Sequence, residues 1–209
     1  ALEKLEPSNA QGEYYLTDII HLAEHSGRRV ATVVLDNPNE GLGVNTRRQL
    51  AEAEQVVRQQ IRNRWLDAGV TMFDPASTWI DAAVTIGKDT VLYPNVTLEG
   101  TTVIGEDCVL RSNTRLTDCI VGNGVEILDH CVFADSHIED DAHLGPFVHL
   151  RPGVMVRKKA KVGNFVEMKK TDLGEGSKAN HLSYLGDAKI GKGVNVGAGT
   201  ITCNYDGVR

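Results

Sequence analysis

The sequence has few aromatic residues, since Phe, Trp and Tyr make up 5% of its 209 residues. A hydrophobic core must therefore be built mainly from Val, Ile, Leu and Ala. No apolar run approaches the roughly 20 residues of a membrane span, and nothing resembles a signal peptide. A formal net charge of -6 argues against nucleic acid or an anionic membrane as the main partner. These absences favour a cytoplasmic protein.

Cysteine is also scarce, with four residues and no Cys-x-x-Cys pair. We expect reduced thiols that serve as small hydrophobic side chains, two of them turned into the core. Glycine, in contrast, is abundant. Its 21 residues gather in the second half of the chain and indicate many tight turns.

The first 75 residues or so have the organisation of the end of an α/β domain followed by a long helix. Residues 14–23 show apolar spacing near 3.6, which predicts a helix, and residues 29–35 form a β-branched run that predicts a strand. Asn45 is the predicted N-cap of a second helix, which runs to about Asp67 and is ended by Gly69. Three such elements are too few to form a domain alone.

From residue 86 onward an aliphatic or other apolar residue recurs every six positions, with occasional five-residue steps. We call these residues the anchors: Ile86, Leu92, Leu98, Ile104, Leu110, Leu116, Val121, Ile127, Phe133, Ile138, Leu144, Leu150, Val156, Val162, Met168, Leu173, Ala179, Leu185, Ile190 and Val196. Such hexapeptide repeats are typical of a left-handed parallel β-helix, in which three hexads close one triangular coil. The predicted fold is therefore mainly β, with the anchors pointing into the prism.

Coil stacking predicts which side chains become neighbours. Arg151 follows the anchor Leu150, and Lys169 follows the anchor Met168 three hexads later, so both should lie on one face, one directly above the other. Two cations about 5 Å apart repel each other unless an anion lies between them. The pair is a candidate phosphate or carboxylate clamp, and a pair of solvated surface charges near Glu167 is the alternative.

His181 and Tyr184 share one hexad, in a polar stretch of the coil. An imidazole suits a general base at neutral pH, although a lone surface histidine often has no role. Asn195, Asn204 and Tyr205 lie about one coil further on, and they belong to other faces of the prism. If these groups cooperate, they must do so in a groove between neighbouring prisms, and three-fold packing is the natural closed arrangement.

A zinc site of the carbonic-anhydrase type is a weaker alternative. His137, His143 and His149 are present, but His143 and His149 occupy the same place in successive hexads and so face different directions. No His-x4-His pair completes a three-histidine site within one chain. The spacing therefore disfavours metal-dependent hydration.

Five stretches carry a more specific resemblance: residues 9–18 (NAQGEYYLTD), 43–45 (GVN), 162–170 (VGNFVEMKK), 181–187 (HLSYLGD) and 195–207 (NVGAGTITCNYDG). Over essentially its whole length the chain resembles the bifunctional N-acetylglucosamine-1-phosphate uridyltransferase and glucosamine-1-phosphate N-acetyltransferase family. The resemblance implies an enzyme of UDP-N-acetylglucosamine synthesis that acts as a homotrimer with acetyl-transfer sites between subunits. Its small-molecule substrates would be glucosamine-1-phosphate, acetyl-CoA and UTP.

The resemblance also implies roles for individual residues. His181 would be the base that removes a proton from the substrate amine, which then attacks the thioester of acetyl-CoA. The sugar phosphate would be held by Arg151 and Lys169, and the sugar by Tyr184 and Asn195. Acetyl-CoA would contact three residues: Ala198, Asn204 and Tyr205.

For the amino-terminal part, the resemblance assigns residues 1–45 to the C-terminal portion of the α/β uridylyltransferase domain. Residues 46–70 would form a linker helix, and residues 71–209 the acetyltransferase β-helix, incomplete at its C-terminus. Asn45 would help to bind Mg²⁺ beside the nucleotide. The glycine-rich nucleotide loop and an acidic magnesium partner are not in this sequence. Two alternatives stay open: a different hexapeptide acyltransferase, and an inactive trimeric scaffold.

Overall fold

The computed structural model describes residues 2–7 and 9–203. The chain divides into two compact units, residues 1–45 and residues 46–209. In the first unit, a 3₁₀ turn (Leu2–Lys4), helix α1 (Asp18–His25) and a second 3₁₀ turn (Pro38–Gly41) are joined by irregular segments. None of its described side chains is buried, so this unit has no core of its own within the described residues.

The predicted strand at residues 29–35 is wrong. These residues have no strand partner among the described part of the first unit, and Val33 and Val34 are 88% and 87% exposed. A β-branched sequence becomes a strand only when another strand satisfies its backbone hydrogen bonds and covers its side chains. The predicted helix is present, although it begins at Asp18, later than the apolar spacing indicated.

The long helix α2 (Arg47–Asp67) opens the second unit. Its N-cap is Thr46, not Asn45 as predicted, because Thr46 and Gln49 form a reciprocal capping box with bonds of 3.1 and 3.0 Å. Near its C-terminal end, Ile61 and Trp65 pack against the β-helix core. The helix therefore covers the start of the prism, as a terminal cap does in repeat proteins.

From residue 71 the chain winds into parallel coils with three faces. A 3₁₀ turn at Pro75–Ser77 follows the first strand. Successive coils then place short strands, mostly of two to three residues, on each face, and each strand forms hydrogen bonds with the strands of the neighbouring coils. The first face holds β1 (Thr71–Met72), β4 (Val91–Leu92), β7 (Val109–Leu110), β10 (Glu126–Ile127), β13 (His143–Leu144) and β20 (Asn195–Val196). The second face holds β2 (Trp79–Ile80), β5 (Thr97–Glu99), β8 (Arg115–Thr117), β11 (Val132–Ala134) and β14 (His149–Leu150).

The third face forms a separate seven-stranded sheet of β3 (Thr85–Ile86), β6 (Val103–Ile104), β9 (Ile120–Val121), β12 (Ser136–Ile138), β15 (Val154–Val156), β17 (Asp172–Leu173) and β19 (Lys189–Ile190). Two longer strands, β16 (Lys161–Lys169) and β18 (Lys178–Gly186), continue around the corner between the first and second faces. They join those two faces into one thirteen-stranded sheet. The predicted fold class, a left-handed parallel β-helix of hexapeptide repeats, is confirmed.

The anchors fill the inside of the prism as predicted. All of them are buried except Ile190 and Val196, which are partly buried. Cys108, Cys119 and Cys131 are also buried, so three thiols and not two turn inward. Cys119 escaped the prediction because it lies in a five-residue step, where the second inward position comes three residues after the anchor. Burial raises the pKa of the Cys119 and Cys131 thiols to about 11, which makes both unreactive at neutral pH.

Candidate functional site

The predicted stacking of Arg151 and Lys169 is confirmed by the strand register. Leu150 on β14 pairs with Met168 on β16, so the residues that follow these anchors lie one above the other at the end of the second face. The Arg151 backbone N–H donates to the Met168 carbonyl at 2.8 Å, which holds this register. Two cationic side chains therefore leave adjacent coils at the same edge of the prism.

Each of these two cations contacts a carboxylate, and for Arg151 that carboxylate is Glu167, the neighbour named in the alternative interpretation. Arg151 Nη1 lies 3.2 Å from Glu167 Oε1, and Lys169 Nζ lies 3.3 Å from Asp187 Oδ2. From the sequence, Glu167 was named only as a neighbour of the pair and Asp187 was given no role, although the offsets of 16 and 18 residues match about one coil. All four side chains are partly exposed, so each pair contributes at most about 1 kcal/mol. An anion with charge-assisted bonds can compete with such contacts.

Tyr184 lies on the same face, directed toward this cationic edge. It pairs in register with Glu167, and two residues later Gly186 pairs with Lys169. A Cβ atom at Gly186 would lie only 2.7 Å from Tyr184 Oη, so the ring crosses the space that the glycine leaves free. Arg151, Lys169 and Tyr184 are thus brought together on one surface.

His181 lies at the corner where the second face begins. It is exposed, and the buried Ser183 hydroxyl donates to its carbonyl oxygen at 2.8 Å, which fixes the backbone of this corner. Asn164 is its register partner one coil below. Gly199 N–H donates to the Leu182 carbonyl, so Ala198 lies one coil above His181. Neither Ser183 nor Asn164 was singled out from the sequence, since their roles depend on the register between coils.

Asn195 does not share this surface. Asn195 is exposed on β20 of the first face, where it pairs with Lys178. Asn45 lies in the first unit, in the loop before α2. Asn204 and Tyr205 lie outside the described residues. Within one chain, the structure therefore places Arg151, Lys169, Tyr184 and His181 along one face, and Asn195 on another.

The described residues hold no group of three His, Cys, Asp or Glu side chains able to bind a metal ion. His143 is on the first face, where its Nδ1 atom lies 3.3 Å from Glu126 Oε2, and His149 and His137 are on the second and third faces. Mg²⁺ is bound through carboxylates, and Asn45 supplies at most one amide oxygen. The described residues alone therefore do not fit a magnesium site, and the role of Asn45 stays a prediction.

No helix in the described chain is long and apolar enough to cross a membrane.

Comparison with protein families matches residues 83–118 to the bacterial transferase hexapeptide (six repeats) model. A bifunctional protein GlmU from Heliobacterium modesticaldum is 49% identical over 207 residues, which cover 99% of this chain and 45% of the relative. A second, from Desulfitobacterium hafniense (strain DSM 10664 / DCB-2), is 50% identical over 208 residues, covering 100% and 46%. The chain therefore spans less than half the length of these curated relatives.

Among solved structures, PerB from Caulobacter crescentus, in complex with CoA and GDP-perosamine, is 16% identical. The match covers 71% of this chain and 63% of that chain, with a TM-score of 0.43. A score below 0.5 carries no argument about function, so the sequence matches alone support the relationship. They confirm the resemblance that the five motifs predicted.

Proposed function

We propose that this chain, which matches bifunctional GlmU proteins over its whole length, carries the acetyl-transfer site of an enzyme of UDP-N-acetylglucosamine synthesis. The substrates are glucosamine-1-phosphate and acetyl-CoA. One observation carries the proposal: Arg151, Lys169, Tyr184 and His181 lie along a single face of the prism. A cationic edge and an imidazole at opposite ends of one surface suit a substrate with a phosphate and an amine.

The order of residues along this face agrees with such a substrate. His181 precedes Gly186, the register partner of Lys169, by five residues, and the chain turns a corner at Leu182 between them. Tyr184 lies between the imidazole and the cationic edge in sequence. A sugar that carries an amine near one end and a phosphate at the other would meet these groups in the same order.

In the proposed reaction, His181 removes a proton from the substrate amine as general base. The free amine attacks the thioester carbonyl carbon of acetyl-CoA, a C–N bond forms, and the C–S bond breaks. Coenzyme A leaves as a thiolate, and the proton that the nitrogen loses as it becomes the amide passes to this thiolate. Arg151 and Lys169 hold the phosphate, so that the amine is positioned for attack. Ala198 above His181 leaves space on that side for the thioester, and Asn204 and Tyr205 add further contacts to acetyl-CoA.

We also propose that the protein is a homotrimer whose sites lie between subunits. Asn195 lies on the first face and Arg151, Lys169 and Tyr184 on the second, so in this proposal Asn195 joins the site of a neighbouring copy. In the bifunctional enzyme, uridylyl transfer from UTP would follow, in a domain to which residues 1–45 contribute and in which Asn45 assists Mg²⁺. A cytoplasmic location agrees with these substrates. A different hexapeptide acyltransferase is the second candidate, since the repeat alone does not select an acceptor.

The decisive experiment compares the wild-type protein with His181→Ala in acetyl transfer from acetyl-CoA to glucosamine-1-phosphate. The rate is measured from the release of the free thiol of coenzyme A. We expect the variant to lose at least about 100-fold in kcat, within the range for a general base. His137→Ala is the matched control, because that histidine lies on the third face and should leave the rate unchanged. A variant that keeps most of the wild-type rate would exclude the general-base role, and preference for another amino sugar would favour the second candidate.

A further inference from the structure

Two lysines on the first face are stacked in the same way as Arg151 and Lys169. Lys161 on β16 pairs in register with Lys178 on β18, so the two exposed side chains leave adjacent coils on one face. Adjacent strands lie about 4.8 Å apart, and like charges placed directly opposite each other are destabilising. Among the paired strands that the structure describes, no other two Lys or Arg residues are register partners.

Cations elsewhere on the β-helix are balanced by carboxylates. Arg115 contacts a glutamate about one coil away at 2.8 Å, and Lys192 contacts another at 2.9 Å. Within the described chain, neither Lys161 nor Lys178 forms an ion pair. Glu126, on the same face two coils below Lys161, is already in contact with an arginine and a histidine. The two stacked positive charges are therefore left without a carboxylate from the described residues.

Two amide side chains lie next to these lysines. Asn195 on β20 is the register partner of Lys178 one coil above, and Asn180 follows Lys178 by two residues on the same strand and the same face. Neither amide forms a side-chain hydrogen bond within the described residues. A Cβ atom at Gly163 would overlap the Asn180 carbonyl oxygen, so no side chain covers the surface beside Lys161. We call Lys161, Lys178, Asn180 and Asn195 the first-face cluster.

We infer that the first-face cluster binds a phosphate group. Two adjacent ammonium groups offer two positive charges to one anion, and a phosphate monoester carries nearly two negative charges on three acceptor oxygens. The amide N–H groups can donate to oxygens that the lysines do not reach. A carboxylate, with a single charge, would balance only one of the two lysines.

The phosphate belongs to a substrate of acetyl transfer, and this part of the inference rests on the proposed function. In the proposed trimer Asn195 joins the site of a neighbouring copy, and Lys178 lies one coil below it. An extended lysine spans roughly 6 Å from its Cα atom, which is more than the coil spacing, so its ammonium group reaches a ligand that Asn195 contacts. Glucosamine-1-phosphate and acetyl-CoA both carry phosphate. The cluster is thus a second phosphate-binding site, separate from Arg151 and Lys169.

The first test is kinetic and uses Lys161→Met/Lys178→Met. For the acceptor, kcat/KM is measured with glucosamine-1-phosphate and with glucosamine. For the donor, it is measured with acetyl-CoA and with S-acetylpantetheine, which has no phosphate. We expect kcat/KM to fall at least about 10-fold for one phosphate-bearing substrate and to stay unchanged for its phosphate-free counterpart, because hydrogen bonds from charged donors are lost. The affected substrate identifies which phosphate the cluster binds.

The matched control is Lys189→Met/Lys192→Met, which removes the same number of charges at and beside the third face. It should leave all four values unchanged. The variant Lys161→Arg/Lys178→Arg keeps both charges and should retain most of the wild-type kcat/KM. Wild-type values for both phosphate-bearing substrates in the methionine variant, or equal losses with and without phosphate, would overturn the inference.

A second test does not need catalysis. Thermal unfolding is compared in sodium phosphate and in sodium chloride of equal ionic strength. Phosphate should raise the Tm of the wild type and of Lys189→Met/Lys192→Met more than that of Lys161→Met/Lys178→Met, because an anion that binds the folded state stabilises it. Equal shifts in all three proteins would contradict the site. If phosphate stabilises the protein through these lysines but the wild type does not acetylate glucosamine-1-phosphate, the proposed function fails and the phosphate site stands.

Discussion

The substitution Lys169→Met tests the phosphate-binding role at the cationic edge of the second face. It removes the charge of the ammonium group but keeps most of the aliphatic stem. Lys169 is 34% exposed and its only described ion pair is the 3.3 Å contact with Asp187, which is 45% exposed. Loss of such a partly exposed pair should change the free energy of unfolding by less than about 1 kcal/mol.

The effect on catalysis should be larger than the effect on stability. A hydrogen bond from a charged donor to a phosphate contributes about 1.5–3 kcal/mol, and its loss lowers kcat/KM for glucosamine-1-phosphate by roughly 10- to 150-fold. Most of that loss should appear in KM, because the phosphate does not change during acetyl transfer. With glucosamine, which has no phosphate, the wild type and the variant should have the same kcat/KM.

The assay is steady-state thiol release from acetyl-CoA with each acceptor. Lys192→Met is the matched control, since Lys192 makes a similar coil-to-coil ion pair with Glu175 at 2.9 Å, near the corner between the third and first faces. The control should lose a similar stability and no activity. Equal losses for both acceptors in Lys169→Met, or a wild-type kcat/KM for glucosamine-1-phosphate, would refute phosphate binding by Lys169.

Three further predictions concern the fold. Phe133→Ala should lower the free energy of unfolding by about 3–5 kcal/mol in urea titration because it leaves a cavity in the core, whereas exposed Ile120→Ala should cost less than about 1 kcal/mol. Hydrogen bonds from Arg157 lower the pKa of Asp172, so this pair should stabilise the protein above about pH 4 and lose that effect as pH falls through the lowered value. Asp172→Asn should therefore cost about 0.5–1 kcal/mol at pH 7, and a difference that persisted at pH 2 would contradict this account. Finally, a thiol reagent at pH 7 should modify Cys119 only after unfolding, because burial raises its pKa to about 11, and rapid labelling of the folded protein would be the contrary result.

The repeat predicted the β-helix well because its period is short and every coil obeys the same rule. An inward residue every sixth position leaves little choice about which side chains are buried, and even the five-residue steps were visible. The stacking of Arg151 over Lys169 followed from the same counting. Glu167 was identified only as a neighbour of these charges and Asp187 was given no role, although each lies about one coil from the cation that it contacts.

The first unit was harder to predict because its elements have no repeat to organise them. The run at residues 29–35 has the composition of a strand, yet the described structure offers it no partner. The N-cap of α2 is one residue later than predicted because a capping box depends on a specific reciprocal pair, here Thr46 and Gln49. Local propensity identifies such elements approximately, and neighbouring groups decide where they begin.

The sequence by itself determined the periodicity, the inward anchors, the motifs around Lys169 and His181, and through them the relationship to bifunctional acetyltransferases. Only the tertiary structure decided which outward side chains share a face, because that depends on how coils are registered against one another. It directed Tyr184 toward the cationic edge across Gly186, and it placed Asn164 and Ala198 below and above His181. It also left Lys161 and Lys178, one coil apart on the first face, without a carboxylate among the described residues, since each coil returns the chain to the same face.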